Sequence, residues 1–241
     1  MKKIFCLLLL MGAAAIQAQE IILDSIQTHT QIFSLAPISK KVDKVNGMVF
    51  GLGHIESKNI EHQTINGINV EANPAPAAGA LYAFIAIMYF DRVVGKDKIK
   101  VIKKNEEDFI IKNTAPALML NGLNISSGCF FTSTNMNGLN ISAGNKFNNF
   151  NGLSITPLGT IAGRQNGLSV GIYNANNNLT GLNIGVYNQS YQLKGLHLGV
   201  FNQVGINKGL QIGVLNKSNS KGFQLGLWNI NDKRSMPFLN W

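Results

Sequence analysis

The feature that most restricts this chain is a short alternating unit repeated at nearly constant spacing. Five copies are clear: Gly167-Leu-Ser-Val-Gly-Ile-Tyr-Asn174, Gly181-Leu-Asn-Ile-Gly-Val-Tyr-Asn188, Gly195-Leu-His-Leu-Gly-Val-Phe-Asn202, Gly209-Leu-Gln-Ile-Gly-Val-Leu-Asn216 and Gly222-Phe-Gln-Leu-Gly-Leu-Trp-Asn229. Their starts lie 14, 14, 14 and 13 residues apart. Three looser copies precede them: Gly122-Leu-Asn-Ile-Ser, Gly138-Leu-Asn-Ile-Ser and Gly152-Leu-Ser-Ile-Thr. Two more candidates lie upstream, at Gly47-Met-Val-Phe-Gly and Gly67-Ile-Asn-Val-Glu. A fixed period of this length means an array in which each unit buries its surface against the next.

Each unit alternates. In the copy at 181, Leu182, Ile184 and Val186 fall on one side of an extended chain, and Gly181, Asn183, Gly185 and Tyr187 on the other. Period-two alternation with β-branched residues reads as strand. A helix would have to absorb two glycines per unit, at about 2 kcal/mol. Linking segments such as Asn174-Ala-Asn-Asn-Asn-Leu-Thr180 have turn chemistry, and the Asn-Gly pairs starting at 46, 66, 121, 137, 151 and 166 are expected at turns. The expectation is an all-β fold of tandem strand-turn units, with the Leu-Ile-Val side packed inward.

Two connectivities satisfy this pattern. In a parallel β-solenoid each unit is one coil and like residues stack on like. In an antiparallel meander the strands pair hairpin-fashion and can close into an outer-membrane β-barrel. The links after Asn174, Asn188 and Asn202 resemble one another, with Leu179, Leu193 or Ile206 near the next Gly. A single-period link favours the solenoid, since a meander alternates its turns between two ends. Pro157 falls within the third copy, where a central strand would lose a ladder hydrogen bond. On the other side, the segment 180–187 comes near the length of a membrane strand. The aromatic residues Tyr173, Tyr187, Phe201 and Trp228, and a terminal Trp241, also suit a barrel. The solenoid is the leading expectation and the barrel its alternative.

The domain reading follows. Met1-Lys2-Lys3, the apolar run 4–16 and Gln17-Ala18 form a secretory signal peptide over 1–18. The apolar run is shorter than the roughly 20 residues a spanning helix needs. Residues 19–120 form an N-terminal capping region holding the two divergent copies and an inserted apolar and charged stretch. The array occupies 121–230, and 231–241 is a C-terminal cap. Removal of the leader takes Cys6 with it and leaves Cys129 as a structural thiol without an internal disulfide partner.

Charge is distributed unevenly. Without the leader the chain keeps 19 basic against 12 acidic residues. Between Asn121 and Asn231 there is no Asp or Glu, while Lys146, Arg164, Lys194, Lys208, Lys217 and Lys221 all lie there. A one-signed surface favours anionic partners: acidic polysaccharide or lipid headgroups, with another envelope protein as the uncharged option. Nucleic acid is the least favoured, because the basic segment 96–108 is half neutralised by its own acids. The plain reading of the same charge is a solubilising excess.

No enzyme chemistry is apparent. The array offers no carboxylate pair for glycoside hydrolysis. His29, His54, His62 and His197 have no metal-ligand spacing, and the glycines do not form a phosphate loop. His54 and His62 with Glu56 and Glu61 form one acid-base cluster, read as a polar loop. Asn124-Ile-Ser and Asn140-Ile-Ser match a glycosylation pattern, read as coincidence. No catalytic residue, cofactor or metal is assigned.

The run Gly209-Leu-Gln-Ile-Gly-Val-Leu-Asn216 and its neighbours resemble bacterial surface-repeat proteins built from Gly-Leu-Gln-Ile-Gly-Leu-Val-Asn units. The resemblance covers about residues 121–230 and implies an envelope or surface location; it carries no activity or site residues. The expectation is therefore a non-catalytic envelope or surface protein with a structural or binding role, the alternative being an integral outer-membrane barrel acting as anchor or pore. The candidate partner-binding residues are those read as outward: Asn183, His197, Gln211, Gln224, Tyr173, Tyr187, Phe201 and Trp228.

Overall fold

The computed structural model describes residues 30–53, 62–72, 116–128 and 133–241. The segment 1–18 read as a leader, Cys129, His54, Glu56 and Glu61 of the acid-base cluster, and the insertion within 73–115 lie outside the described residues. Among these residues eleven strands form one sheet in strict chain order. They are β1 (Thr30–Ala36), β2 (Lys44–Gly51), β3 (Gln63–Glu71), β4 (Leu118–Ser126), β5 (Thr134–Ser142), β6 (Gly144–Ile155), β7 (Gly159–Val170), β8 (Tyr173–Asn207), β9 (Leu210–Ser218), β10 (Phe223–Ile230) and β11 (Ser235–Asn240). Every neighbouring pair from β1 to β10 is parallel. The chain is a parallel β-solenoid of about 10 turns, and β8 alone runs through about two and a half coils. The alternative of an antiparallel meander closed into a barrel is overturned by this pairing. Among the described residues only β11 runs antiparallel, against the free side of β10. There Arg234 donates to Asn240 Oδ1 at 2.8 Å and lies 3.9 Å over the Trp241 ring, pinning the end of the stack.

Both upstream copies are coils of the same array. Gly47 pairs with Gly67, and Gly67 with Gly122, so β2 and β3 continue the register into β4 across the insertion. Pro157 falls in the break between β6 and β7, where it takes no strand position.

The register rests on glycine. Gly47, Gly67, Gly122, Gly138, Gly152, Gly167 and Gly181 stack in one column with φ between +130° and +158°. At Gly181 φ is +136°, and a Cβ would sit 2.1 Å from the carbonyl oxygen of Gly167. Only glycine combines that backbone with that approach. A second column, Gly185, Gly199, Gly213 and Gly226, is closed in the same way by the preceding glycine's carbonyl. The Asn-Gly pairs are thus not hairpin turns, as expected from sequence. They are bends within a continuing strand, and their asparagines stack. Asn66 donates to Asn46, Asn121 to Asn66, Asn137 to Asn121, Asn151 to Asn137 and Asn166 to Asn151, at 2.6–2.8 Å.

The interior is the principal correction. Asn183 is 0% exposed, whereas Val186 is 44% exposed and Leu182 and Ile184 are half-buried. The alternation is real, but the polar side faces in. One interior column reads Asn69, Asn124, Asn140, Ser154, Ser169, Asn183, His197, Gln211 and Gln224, every member fully buried. Beside it runs a mostly apolar column, with Val45, Ile65, Leu120, Met136, Phe150, Leu179 and Leu193. Buried amides are tolerated because their NH₂ groups find acceptors in the same or a neighbouring coil, with Oδ1 of Asn69 and of Asn174 left unpaired. Asn69 donates to Asn124, Asn124 to Asn140 and Asn140 to Ser154. Gln165, Asn183 and Asn176 close a ring of three amides at 2.6–2.8 Å. The asparagine that ends each of the five clear units forms another chain: Asn174 donates to Asn188, Asn188 to Asn202, Asn202 to Asn216 and Asn216 to Asn229, at 2.8–3.0 Å.

Candidate functional site: an apolar wall with a basic border

Turning the polar side inward places the aliphatic side outside. Leu123, Leu139, Leu153, Leu168 and Leu182 stack residue on residue along the surface, continuing in Leu196, Leu210 and Phe223. Two residues further along each strand, Ile125, Ile141, Ile155, Val170 and Ile184 form a second column, continuing in Leu198, Ile212 and Leu225. In the later coils Ile172, Val186, Val200, Val214 and Leu227 add a third, each at least 37% exposed. With Met48 and Ile68 continuing the first column upstream, ten coils at about 4.8 Å spacing give this wall a length of roughly 43 Å. Isolated apolar residues on a surface are ordinary; a contiguous field of this size makes the wall the candidate site. Between the second and third columns runs a shallow apolar groove, floored by Gly171, Gly185 and Gly199 and walled by Ile184, Val186 and Leu198.

The two borders differ. On one side lies the column that holds the stacked asparagines in early coils. It passes through Thr180, paired with Asn166, to Lys194, Lys208 and Lys221, all exposed. On the other side lies an aromatic column. Tyr173 and Tyr187 stack with ring centroids 5.4 Å apart. Their hydroxyls donate to Gln189 and Gln203 in the following coil, and burial raises the Tyr187 phenol above its ordinary range. Phe201 pairs with Leu215, and Leu215 with Trp228.

The residues read from sequence as partner-facing fall mostly elsewhere. Asn183, His197, Gln211 and Gln224 are each 0% exposed and lie in the interior column, so they present nothing to a partner. Period-two alternation separates two sides without saying which is enclosed. Tyr173 is buried, Tyr187 and Phe201 are half-buried in the aromatic column, and Trp228 is 48% exposed. Of the eight, Trp228 alone is exposed. His197 bonds Ser190 through Nε2 at 2.9 Å, while its Nδ1 has no partner. Burial holds the imidazole neutral, pushed down to about 3. Asn124 and Asn140 of the glycosylation pattern are likewise enclosed. His62 donates from Nδ1 to the carbonyl oxygen of Pro116 at 2.9 Å.

Among the described residues no group of three or more His, Cys, Asp or Glu could hold a metal ion. No helix there is long and apolar enough to cross a membrane. The residues the sequence reading missed are the wall columns and the lysine row. The row did leave a signal: Lys194-Gly-Leu196, Lys208-Gly-Leu210 and Lys221-Gly-Phe223 recur at the coil period. Compared with known proteins, the chain matches no protein-family model, no curated protein and no solved structure.

Proposed function

We propose that the protein is an exported, non-catalytic component of the cell envelope that works by contact through its apolar wall. One observation carries this: ordered columns of aliphatic side chains face out along about ten coils, while the polar side chains are spent on holding the coils together. Such a surface is costly to leave in water, at about 25 cal/mol per Å² of apolar area, and is relieved by an apolar or amphipathic partner. The leader-like pattern at 1–18 supports delivery out of the cytoplasm. The parallel solenoid supports a peripheral rather than a membrane-spanning mode, since a spanning sheet must close on itself to leave no unpaired edge.

Fractionation of expressing cells tests this. The chain should be recovered with the envelope and be released by an alkaline carbonate wash, which leaves integral barrels in the pellet. Replacing Val186, Val200 and Val214 by Thr keeps shape and strand preference while adding hydroxyls, and should shift the protein to the soluble exported fraction. Recovery of the wild type in the cytoplasm, or unchanged fractionation of the threonine variant, would overturn the reading.

A further inference from the structure

We infer that the wall docks onto an anionic lipid bilayer surface, with Lys194, Lys208 and Lys221 reaching its headgroups. This rests on the contact role proposed above and names the ligand of the same wall. Apolar columns alone suit any apolar partner; the border decides between them. Lys194 immediately precedes Gly195, and Gly195 sits on Gly181. Lys208 and Gly209 repeat the arrangement one coil later, since Gly209 sits on Gly195. Lys221 precedes Gly222 and Phe223, and Phe223 pairs with Leu210. The three lysines therefore follow one another coil by coil beside the leucine column, Lys194 within β8 and the other two in the links that lead into β9 and β10.

Like charges gathered along one edge of a surface repel one another. Nothing in the array relieves them, because no Asp or Glu lies between Asn121 and Asn231. Lipid phosphates would neutralise the row while Leu196, Leu210 and Phe223 beside it enter the acyl boundary. Lysine suits that position, with an apolar stem that lies along the wall and an ammonium that reaches headgroup level. Trp228, on the opposite border of the same late coils, suits the same depth. A second copy of the chain could cover the aliphatic columns equally well. It would bring the same lysine row and no array carboxylate to meet it, so charge complementarity selects the bilayer.

The test is co-sedimentation of the purified chain with vesicles of phosphatidylcholine alone and of phosphatidylcholine mixed with phosphatidylglycerol. The wild type should bind the anionic vesicles far more tightly. A K194Q/K208Q/K221Q variant should lose on the order of 100-fold on anionic vesicles, from about fivefold per lysine, and little on neutral ones. The V186T/V200T/V214T variant should weaken on both. Circular dichroism verifies strand content in each, and the lysine variant, altered only at exposed positions, keeps the test open if the threonine variant unfolds. Equal binding to both compositions, an unchanged lysine variant, or dimers that ignore vesicles would overturn the inference. If vesicles are ignored yet the threonine changes still release the protein from the envelope fraction, the lipid assignment fails alone. If fractionation is also unchanged, the contact role falls with it.

Discussion

Acid should weaken this fold through His197. The imidazole is fully enclosed between Asn183 and Gln211 in the interior column, with Nε2 on Ser190 and Nδ1 without a partner. Desolvation lowers its pKa from 6.5 to about 3. Above pH 6.5 neither the folded nor the unfolded chain protonates this ring, so its contribution is constant. Below pH 6.5 the unfolded chain takes up a proton and the folded chain does not, until the pH falls through about 3. Stability should drop by about 1.4 kcal/mol for each pH unit within that window, or about 2 kcal/mol at pH 5. Urea denaturation followed by circular dichroism, from pH 7.5 to 4.5, measures it. The reference is His197→Gln, because Gln211 occupies the same register position in the next coil. Ionisable groups elsewhere are common to both proteins and cancel in the difference between them. The reasoning is refuted if that difference is flat between pH 7.5 and 5, or if the wild type gains on its variant as acid is added.

Two further outcomes follow from the ladders. Gly181→Ala places a Cβ 2.1 Å from a backbone oxygen at φ +136°, so it should lose about 3 kcal/mol or more, read as a lower urea midpoint. Asn188→Ala removes the acceptor of Asn174 and the donor to both Asn202 and the Leu198 carbonyl. It should destabilise by about 2–4 kcal/mol, against a near-neutral result at an exposed wall position such as Val186→Thr.

The parts of this fold that a reader of the sequence can reach are those set by local rules. Alternation in 181–188 gives strand, a constant spacing with like links gives parallel coils, and Pro157 argues against an uninterrupted ladder. The inside and outside were not reachable in that way. Hydrophobicity favours enclosing Leu182 and Ile184, but a coil of about 14 residues encloses a narrow space, and Gly181 and Gly185 flank Asn183 with no side chains at all. Asn and Gln recurring at one register position can satisfy one another from coil to coil, and that collective bonding exists only once the units are stacked. The candidate site inherited the inversion. His197 and Gln211 looked accessible because Leu196 and Leu210 were assumed to be covered. The lysine row was legible from its own period, but its meaning depends on which side of the strand is wet.

The stacking described above has a consequence for how such a chain can change over generations. Each coil bonds only to the one before and the one after, and Gly181 to Gly195 spans one full repeat of 14 residues. Unequal exchange between two copies of the gene, out of step by one such segment, deletes or duplicates a whole rung and leaves Asn174 facing an equivalent asparagine. The product is a shorter or longer rod with the same cross-section. Reach is thereby a matter of copy number, open to selection in steps of one strand width without any new sequence being invented.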